Sequence, residues 1–359
     1  MTSPTLQHEP AADTSGLWRQ LGLALLAVRF VQGWIYWGGG SRRFIYAPAK
    51  LDPHAHSWMA NKFQTAMPGA ILGMGHVVDY LLHHFALLYA GVIVFSAAEL
   101  IFGLFLLVGF MTRLSALVTV GLSFVLMLLF GWQGATCIDE WTMASANFGM
   151  GVALFLAGAG AYSIDAWLLG RHPQLASARW FQWLGSGHWP APRFRRWSLI
   201  SGAATVLFVV LTYNYYRGSV LTPFHGGPVS PAAHHISLSA GRLNSDGSVR
   251  FTAYLDAGTP AAPENVVRAD LYGPANVAVE HWDGAALAAL PPSAFVNDYQ
   301  YNQFGPGYAG ITAKVGARAS ITLPPAQPGL HLPAGSYRLV LHSVNGRPYA
   351  IALRLASGN

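Results

Sequence analysis

Five apolar windows constrain this chain more than any other feature of its sequence. A helix needs about 20 apolar residues to cross a hydrocarbon core of about 30 Å. The windows are Leu17–Gly38, Phe85–Phe110, Leu114–Trp132, Met143–Tyr162 and Trp197–Tyr213. Only 10% of the 359 residues are charged, whereas a soluble domain carries about 25%. We therefore expect a membrane α-helical bundle of four helices plus a shorter fifth span, with the first window kept as an uncleaved anchor.

Arginine is concentrated in one segment, and this sets the expected orientation. Residues 171–196 include Arg171, Arg179, Arg193, Arg195 and Arg196. Short cytoplasmic loops are enriched in Lys and Arg, so we expect this segment inside the cell. Counting spans in both directions places the N-terminus in the cytoplasm and the chain after Tyr213 outside. The expected location is the inner (cytoplasmic) membrane, with a periplasmic or extracytoplasmic C-terminal domain.

The residues after the fifth window show strand patterns instead. Apolar and polar side chains alternate in Val249–Leu255 and in Ser336–Leu341, and Gly- and Pro-containing turns separate such runs. Repeated short strands of this kind indicate an all-β, immunoglobulin-like sandwich. The predicted organisation is a cytoplasmic tail (1–16), a four-helix membrane domain (17–170), a basic cytoplasmic loop (171–196), a fifth transmembrane helix (197–216), a linker (217–231) and an external β domain (232–359).

Composition excludes several classes of chemistry. Because Cys137 is the single cysteine, the chain has no intrachain disulfide, CxxC redox pair, CxxCH haem attachment or cysteine-ligated iron–sulfur cluster. No dense basic block favours nucleic acid. The histidine pairs are His54 and His56, His83 and His84, and His234 and His235. None implies a third ligand, so we expect ordinary loop histidines and no metal site.

A group of cations falls on the unexpected side of the membrane. Arg42, Arg43, Lys50 and Lys62 lie in the long segment between the first two windows, which the count of spans places outside. One interpretation is that an intervening window is miscounted. The other is that these side chains bind an external anion, because Arg offers an oxyanion a planar fork of donors. We predict substrate binding by Arg42, Arg43 and Lys50.

Ionisable residues inside the windows are few, and each needs a partner or a function because a charge in lipid is costly. Helix rise places Arg29 and Glu99 at the same level of neighbouring spans, which permits an Arg29–Glu99 pair. That pair is either a plain buried salt bridge or part of a quinone site that handles protons. Trp34 and Trp37 fit an aromatic belt or the wall of such a site, and we add Asn147 of the fourth window to the quinone candidates.

One predicted external hairpin combines a thiol, two carboxylates and an indole in Cys137, Asp139, Glu140 and Trp141. A lone cysteine is more often a buried, inert residue. Here the loop is polar, and nearby Arg side chains would favour the thiolate. We predict Cys137, Asp139 and Glu140 as catalytic and Trp141 as substrate-binding; the alternative is that the carboxylates only solvate a turn.

Three motifs together resemble a known family. They are the run Gly33–Arg43, the pattern Glu99-Leu100 with Gly103, Gly109, Thr112 and Arg113, and the hairpin Thr136–Trp141. The chain resembles DoxD, the membrane subunit of thiosulfate:quinone oxidoreductase in the DoxX-like superfamily, and its C-terminal region is similar to the companion subunit DoxA. The resemblance implies a thiosulfate dehydrogenase (quinone), which oxidises two thiosulfates to tetrathionate and reduces a non-covalently bound quinone of the ubiquinone or menaquinone type.

The expected partners are therefore thiosulfate, the membrane quinone pool and the bilayer. Whether the chain forms a homo-oligomer is left open. In the mechanism we expect, thiosulfate binds the external arginines and Cys137 carries a covalent thiosulfonate adduct. Direct attack of thiosulfate on the quinone is the alternative. Two other functions also stay open: a non-enzymatic DoxX-like membrane scaffold, and an accessory subunit of a terminal quinol oxidase that takes its haem or copper ligands from a partner.

Overall fold

The N-terminal half of the chain is helical. The computed structural model describes residues 14–134, 140–217, 233–327 and 329–356. The helices before the β domain are α1 (Thr14–Ala24), α2 (Leu26–Ser41), α3 (Met59–Ala66), α4 (Met74–His83), α5 (Phe85–Val108), α6 (Thr112–Phe130), α7 (Glu140–Ala157), α8 (Ile164–Arg171), α9 (Arg179–Leu184) and α10 (Ala191–Arg217). Cys137 and Asp139, most of the predicted tail and nearly all of the predicted linker lie outside the described residues.

Three of the described helices are long and apolar enough to cross a membrane, namely Phe85–Val108, Thr112–Phe130 and Ala191–Tyr216. A fourth span results if α1 and α2, which meet at a bend of 53°, are counted as one. The window predicted as the fourth span does form a helix, α7. α7 is not one of the helices apolar enough to cross a membrane, because Glu140 and Asn147 lower its mean hydropathy. Several spans nonetheless make this a multi-pass membrane protein.

The segment predicted as a basic loop is largely helical. α9 and the first turns of α10 fall within it, and α8 ends at its first residue, Arg171; Arg193, Arg195 and Arg196 therefore lie on α10. As a result α10 is longer than the predicted fifth span: its 26 apolar-rich residues from Ala191 to Tyr216 extend about 39 Å at 1.5 Å per residue. That length exceeds the thickness of a hydrocarbon core.

The C-terminal region is an all-β sandwich of two antiparallel sheets, as predicted. One sheet has the order β1 (His235–Leu243), β2 (Val249–Ala257), β8 (Arg318–Leu323), β5 (Phe295–Asn297). The other has the order β10 (Pro348–Leu355), β9 (Gly335–Ser343), β3 (Glu264–Tyr272), β7 (Gly310–Ala313), β6 (Gly305–Gly307), and β4 (Ala278–Trp282) pairs with β3. A short helix, α11 (Gly284–Ala288), follows β4. Alternation buries Phe251 and Leu255 of β2 between the sheets.

The described chain divides into two compact units. The first comprises residues 1–51, 91–125 and 143–211, and the second comprises residues 52–90, 126–142 and 212–359. The β sandwich therefore shares its unit with α3 and α4. Within that unit Gln64 of α3 donates to the carbonyls of Asn302 and Gly316 at 2.8 and 2.9 Å, and its own carbonyl accepts from the Asn302 backbone at 2.8 Å. These bonds fix the sandwich against α3, since buried amides need partners.

A second polar contact joins α4 to the sandwich. The Tyr299 hydroxyl donates to the Asp79 carboxylate, and Arg318 Nη2 lies 3.2 Å from the same carboxylate. Burial, and then the hydrogen bond to Asp79, raises the pKa of Tyr299 well above its usual value. Tyr299 therefore stays a neutral donor, which suits a contact that joins two elements.

Candidate functional site

The helices α2 and α5 approach each other closely because glycines lie on the contact. A Cβ at Gly40 would be 2.4 Å from the Leu100 backbone nitrogen, and one at Gly103 would be 2.2 Å from the Trp37 nitrogen. Neither position tolerates a side chain without moving a backbone. The glycine run of α2 thus brings the neighbouring side chains of α2 and α5 within contact distance.

An ion pair forms beside this contact. Arg43 Nη1 bonds to Glu99 Oε2, and the two side chains are only 16% and 8% exposed. The Arg43 guanidinium also lies 5.7 Å from the centre of the Phe95 ring. A Cβ at Gly39 would be 3.2 Å from Glu99 Oε2, so glycine leaves the carboxylate its room. The structure thus brings one predicted substrate-binding residue and one predicted quinone-site residue together.

The turn that carries Arg43 is unusual. α2 continues directly into a π-helical turn, Arg42–Tyr46, and then into a short 3₁₀ turn, Pro48–Lys50. A π-helical turn is wider than an α-helical one and is frequent at functional sites. Arg42 is exposed on this turn, next to the half-buried Arg43. The turn therefore presents both arginines, and Lys50 follows within the next one.

The predicted Arg29–Glu99 pair is wrong. Arg29 instead donates to the carbonyls of Ala159 and Tyr162, each at 2.8 Å. The reason is the bend at Leu25, which makes Arg29 a first-turn residue of α2 rather than a mid-span one. Arg29 therefore anchors the segment after α7 and takes no part in the Glu99 site.

Asp165 is a polar centre that the sequence analysis missed. Its carboxylate accepts from the Met111 and Thr112 backbone nitrogens at 2.9 and 3.1 Å, from the Thr112 hydroxyl at 2.9 Å and from the Ser186 hydroxyl at 2.7 Å. A signal was present, because a serine followed two residues later by an acidic residue, as in Ser163 and Asp165, is typical of a helix N-terminus. Asp165 fixes the turn between α5 and α6.

Arg113 completes this structural end of the bundle. It is fully buried and donates to the carbonyls of Phe155, Gln182 and Gly187 at 2.9, 2.7 and 2.5 Å. Its guanidinium lies 4.4 Å from the centre of the Trp189 ring. The Thr-Arg motif therefore holds α6, α7 and α9 together, and its role is architectural.

A neutral polar cluster lies deeper in the bundle. Gln32 Nε2 donates to the Thr119 hydroxyl at 3.1 Å and to the Asn147 backbone carbonyl at 2.9 Å. The Tyr36 hydroxyl donates to the Thr119 carbonyl at 3.0 Å and lies 2.6 Å from the Ser123 hydroxyl. Asn147 was predicted here; Gln32, Thr119 and Ser123 were missed, although pairs of polar residues four apart within apolar windows, on α2 and on α6, mark a shared helix face.

Two acceptors in this cluster lack a donor in the described part of the chain. Gln32 Oε1 and Asn147 Oδ1 are buried and have no hydrogen-bond partner among the described residues. Gln32 is 0% exposed and Asn147 is 5% exposed. A buried, unpaired polar atom is costly, of the order of 1–3 kcal/mol. These two oxygens therefore favour a ligand or a water that can donate.

The two predicted tryptophans form an aromatic surface on α2. The ring centroids of Trp34 and Trp37 are 5.1 Å apart, and Trp34 also stacks on Phe30 at 6.0 Å. Trp34 is exposed in the fold, whereas Trp37 is half-buried. This arrangement fits an aromatic belt as well as a lipid-facing wall of a quinone site.

Of the predicted hairpin, Glu140 and Trp141 are described. Glu140 Oε1 lies 2.8 Å from Lys62 Nζ, so its carboxylate pairs with the fourth of the segment's cations. Trp141 Nε1 donates to the Thr212 hydroxyl at 3.0 Å. The Trp141 indole is therefore tied to α10 within the second unit.

The histidine pairs have ordinary partners where the structure describes them. The Nδ1 atoms of His83 and His84 lie 2.8 and 2.7 Å from the carbonyls of Asp79 and Tyr80, one turn earlier on α4. Among the described residues, no group of three His, Cys, Asp or Glu side chains is placed to hold a metal ion.

The fold and these contacts define a class of protein: a multi-pass helical membrane domain with a buried ion pair and a buried amide cluster, followed by an all-β sandwich. Residues 24–190 match the DoxD family, described as the TQO small subunit DoxD. This part of the chain is a DoxD-like membrane domain. The match spans α2 to α9 and supports a membrane oxidoreductase.

Proposed function

We propose that this protein is a thiosulfate:quinone oxidoreductase, in which a DoxD-like membrane domain and a DoxA-like β domain are fused in one chain. Two thiosulfates each lose one electron and join through a new S–S bond to give tetrathionate. The quinone gains both electrons and two protons to become quinol. The observation that carries the proposal is the Arg43–Glu99 pair, which lies within the matched region and combines an anion-binding group with a carboxylate.

Arg43 is the proposed centre of thiosulfate binding. Its guanidinium already binds one anion, the Glu99 carboxylate, and a dianion with several oxygens can compete for the same fork of donors. Arg42 is exposed on the same turn and would add positive charge, as would Lys50 in the next turn. When thiosulfate displaces Glu99 from Arg43, the buried Glu99 carboxylate no longer has a cation beside it. We assign Glu99 the uptake and release of protons during quinone reduction.

The quinone, when bound, supplies the two-electron acceptor. Asn147 fits such a ligand, because its side-chain oxygen is buried and has no donor among the described residues, and a quinol hydroxyl can donate to it. Trp34 and Trp37 offer an aromatic wall on α2, which continues into the turn that carries Arg43. Arg29 is left out of this site, since both of its terminal nitrogens are bonded to carbonyls elsewhere.

Cys137 is proposed as the covalent catalyst. Its thiolate and the first thiosulfate lose two electrons to the quinone and form Cys–S–S–SO₃⁻. A second thiosulfate attacks the sulfur that carries the sulfonate, which releases tetrathionate and restores the thiolate. Asp139 and Glu140 would orient nearby cations, as Glu140 does with Lys62. Trp141 would contact the bound substrate. With the predicted orientation, in which the N-terminus is cytoplasmic, this chemistry would take place on the outer side of the cytoplasmic membrane.

The direct test is a quinone-reduction assay on the purified full chain with thiosulfate, sulfite and sulfide compared side by side. We expect reduction with thiosulfate and a visible spectrum free of haem or copper bands. Reduction that does not depend on thiosulfate would contradict the proposal. If Cys137→Ser keeps normal turnover, thiosulfate attacks the quinone directly and the covalent route is wrong.

A further inference from the structure

An apolar cavity of about 440 Å³ lies between α6, α7, α9 and α10. Its wall includes Leu117, Val120, Phe148, Phe155, Trp183 and Trp197. The two hydroxyls on the wall are already used: Ser201 Oγ donates to the Trp197 carbonyl and Thr205 Oγ1 to the Ser201 carbonyl, each at 2.7 Å. The cavity therefore offers its occupant hydrocarbon and aromatic contacts and little else.

The amide cluster lies directly beside this cavity. A Cβ at Gly151 would be 2.7 Å from Cγ2 of Val120, which lines the cavity, and 3.2 Å from Nε2 of Gln32, which belongs to the cluster. Both atoms therefore approach the same point, on the side of Gly151 where a Cβ would lie. Phe148 of the cavity wall also follows Asn147 of the cluster in sequence. The cavity wall and the amide cluster therefore adjoin each other along α7.

We propose that the cavity holds the isoprenoid tail of the quinone and that the ring lies at the amide oxygens of Gln32 and Asn147. The identity of the ligand rests on the proposed function. A phospholipid acyl chain also suits the cavity, but it brings no donor to the two unpartnered oxygens. A quinol brings two hydroxyl donors on the ring that carries the tail. The cluster therefore recognises the reduced form, which favours the direction of quinone reduction.

The proposed ring site lies a short distance along α2 from the residue that faces Glu99. Gln32 is seven residues before Gly39 on α2, and Gly39 is the residue that faces the Glu99 carboxylate. This separation corresponds to about 10 Å along the helix. Tyr36 and Ser123, which are hydrogen-bonded to each other, lie at the level between them. Their hydroxyls form part of a polar route between the carboxylate and the ring.

In a bilayer the tail leaves one apolar phase for another, so packing rather than the hydrophobic effect decides its affinity. Bulk inside the cavity should therefore discriminate against tailed quinones. We expect Ala204→Trp, on the cavity wall, to raise the KM ratio of a tailed quinone over a tail-less one by at least about tenfold. The matched control is Ala203→Trp, one residue away on α10 and not on the wall, which should leave that ratio unchanged. An unchanged ratio in Ala204→Trp overturns the inference.

A second readout does not need turnover. The wild-type full chain in nanodiscs is labelled with a photoreactive quinone that carries an isoprenoid tail, without thiosulfate. Label on α6, α7 or α10 residues of the cavity, removed by unlabelled tailed quinone but not by excess phospholipid, supports the site. Label elsewhere, or protection by phospholipid, overturns it. If the cavity is labelled but thiosulfate drives no quinone reduction, the site stands and the proposed function fails. If thiosulfate drives reduction but the cavity is not labelled, the proposed function stands and the site fails.

Discussion

Three consecutive glycines of α2 have different surroundings and should respond differently to alanine. A Cβ at Gly38 meets nothing within 4 Å, one at Gly39 would be 3.2 Å from Glu99 Oε2, and one at Gly40 would be 2.4 Å from the Leu100 backbone nitrogen. Each substitution gains helix propensity of about 1 kcal/mol. Only Gly40→Ala also forces α2 and α5 apart, at a cost of about 1–3 kcal/mol.

The gain in propensity cancels in the comparison between the two end variants. Gly40→Ala should therefore be less stable than Gly38→Ala by about 1–3 kcal/mol, or by about 2–4 °C in Tm for each kcal/mol. Thermal unfolding of the purified protein in one detergent measures this difference. Gly39→Ala should act on activity more than on Tm, because the atom it crowds belongs to a carboxylate. Equal Tm values for the Gly38 and Gly40 variants would refute the close approach of the two helices.

Other substitutions test separate parts of the molecule. Arg43→Gln should raise the KM for thiosulfate by about tenfold or more, since a charged hydrogen bond is worth about 1.5–3 kcal/mol, whereas the exposed Arg42→Gln should change it less; equal effects would contradict the assignment. Asp165→Asn should cost about 2–4 kcal/mol of folding free energy, measured by denaturant unfolding. The reason is that the new amide nitrogen, itself a donor, would face N–H and O–H groups that need an acceptor. Burial and the neighbouring Glu264 carboxylate raise the pKa of Tyr349 to about 12, above its usual value of about 10. The folded state then holds the proton longer, so stability should fall between pH 10 and 12, and Tyr349→Phe should flatten that fall.

The architecture could be predicted because its causes are local. Long apolar windows become α5, α6 and α10, and the alternating run Val249–Leu255 becomes the first seven of the nine residues of β2. The bend at Leu25 could not be predicted, since neither proline nor glycine marks it. That one bend moved Arg29 to the end of the bundle. An ideal straight helix therefore assigned Glu99 the wrong partner.

The site was predicted in part for similar reasons. Glu99 and Arg43 stand out in the sequence because charges are rare in or beside the spans. Gln32 and Thr119 were missed because neutral polar side chains are common in membrane helices, and only tertiary contact shows that they share a cluster. The roles of Cys137 and Asp139 stay predictions.

The central claim is that thiosulfate oxidation outside the membrane drives quinone reduction within it. Proteoliposomes that contain the full chain and a tailed quinone are given thiosulfate, and quinol and tetrathionate are measured together. The account predicts one quinol and one tetrathionate for every two thiosulfates consumed. Quinol formation without tetrathionate, or no quinol formation with thiosulfate, would contradict it.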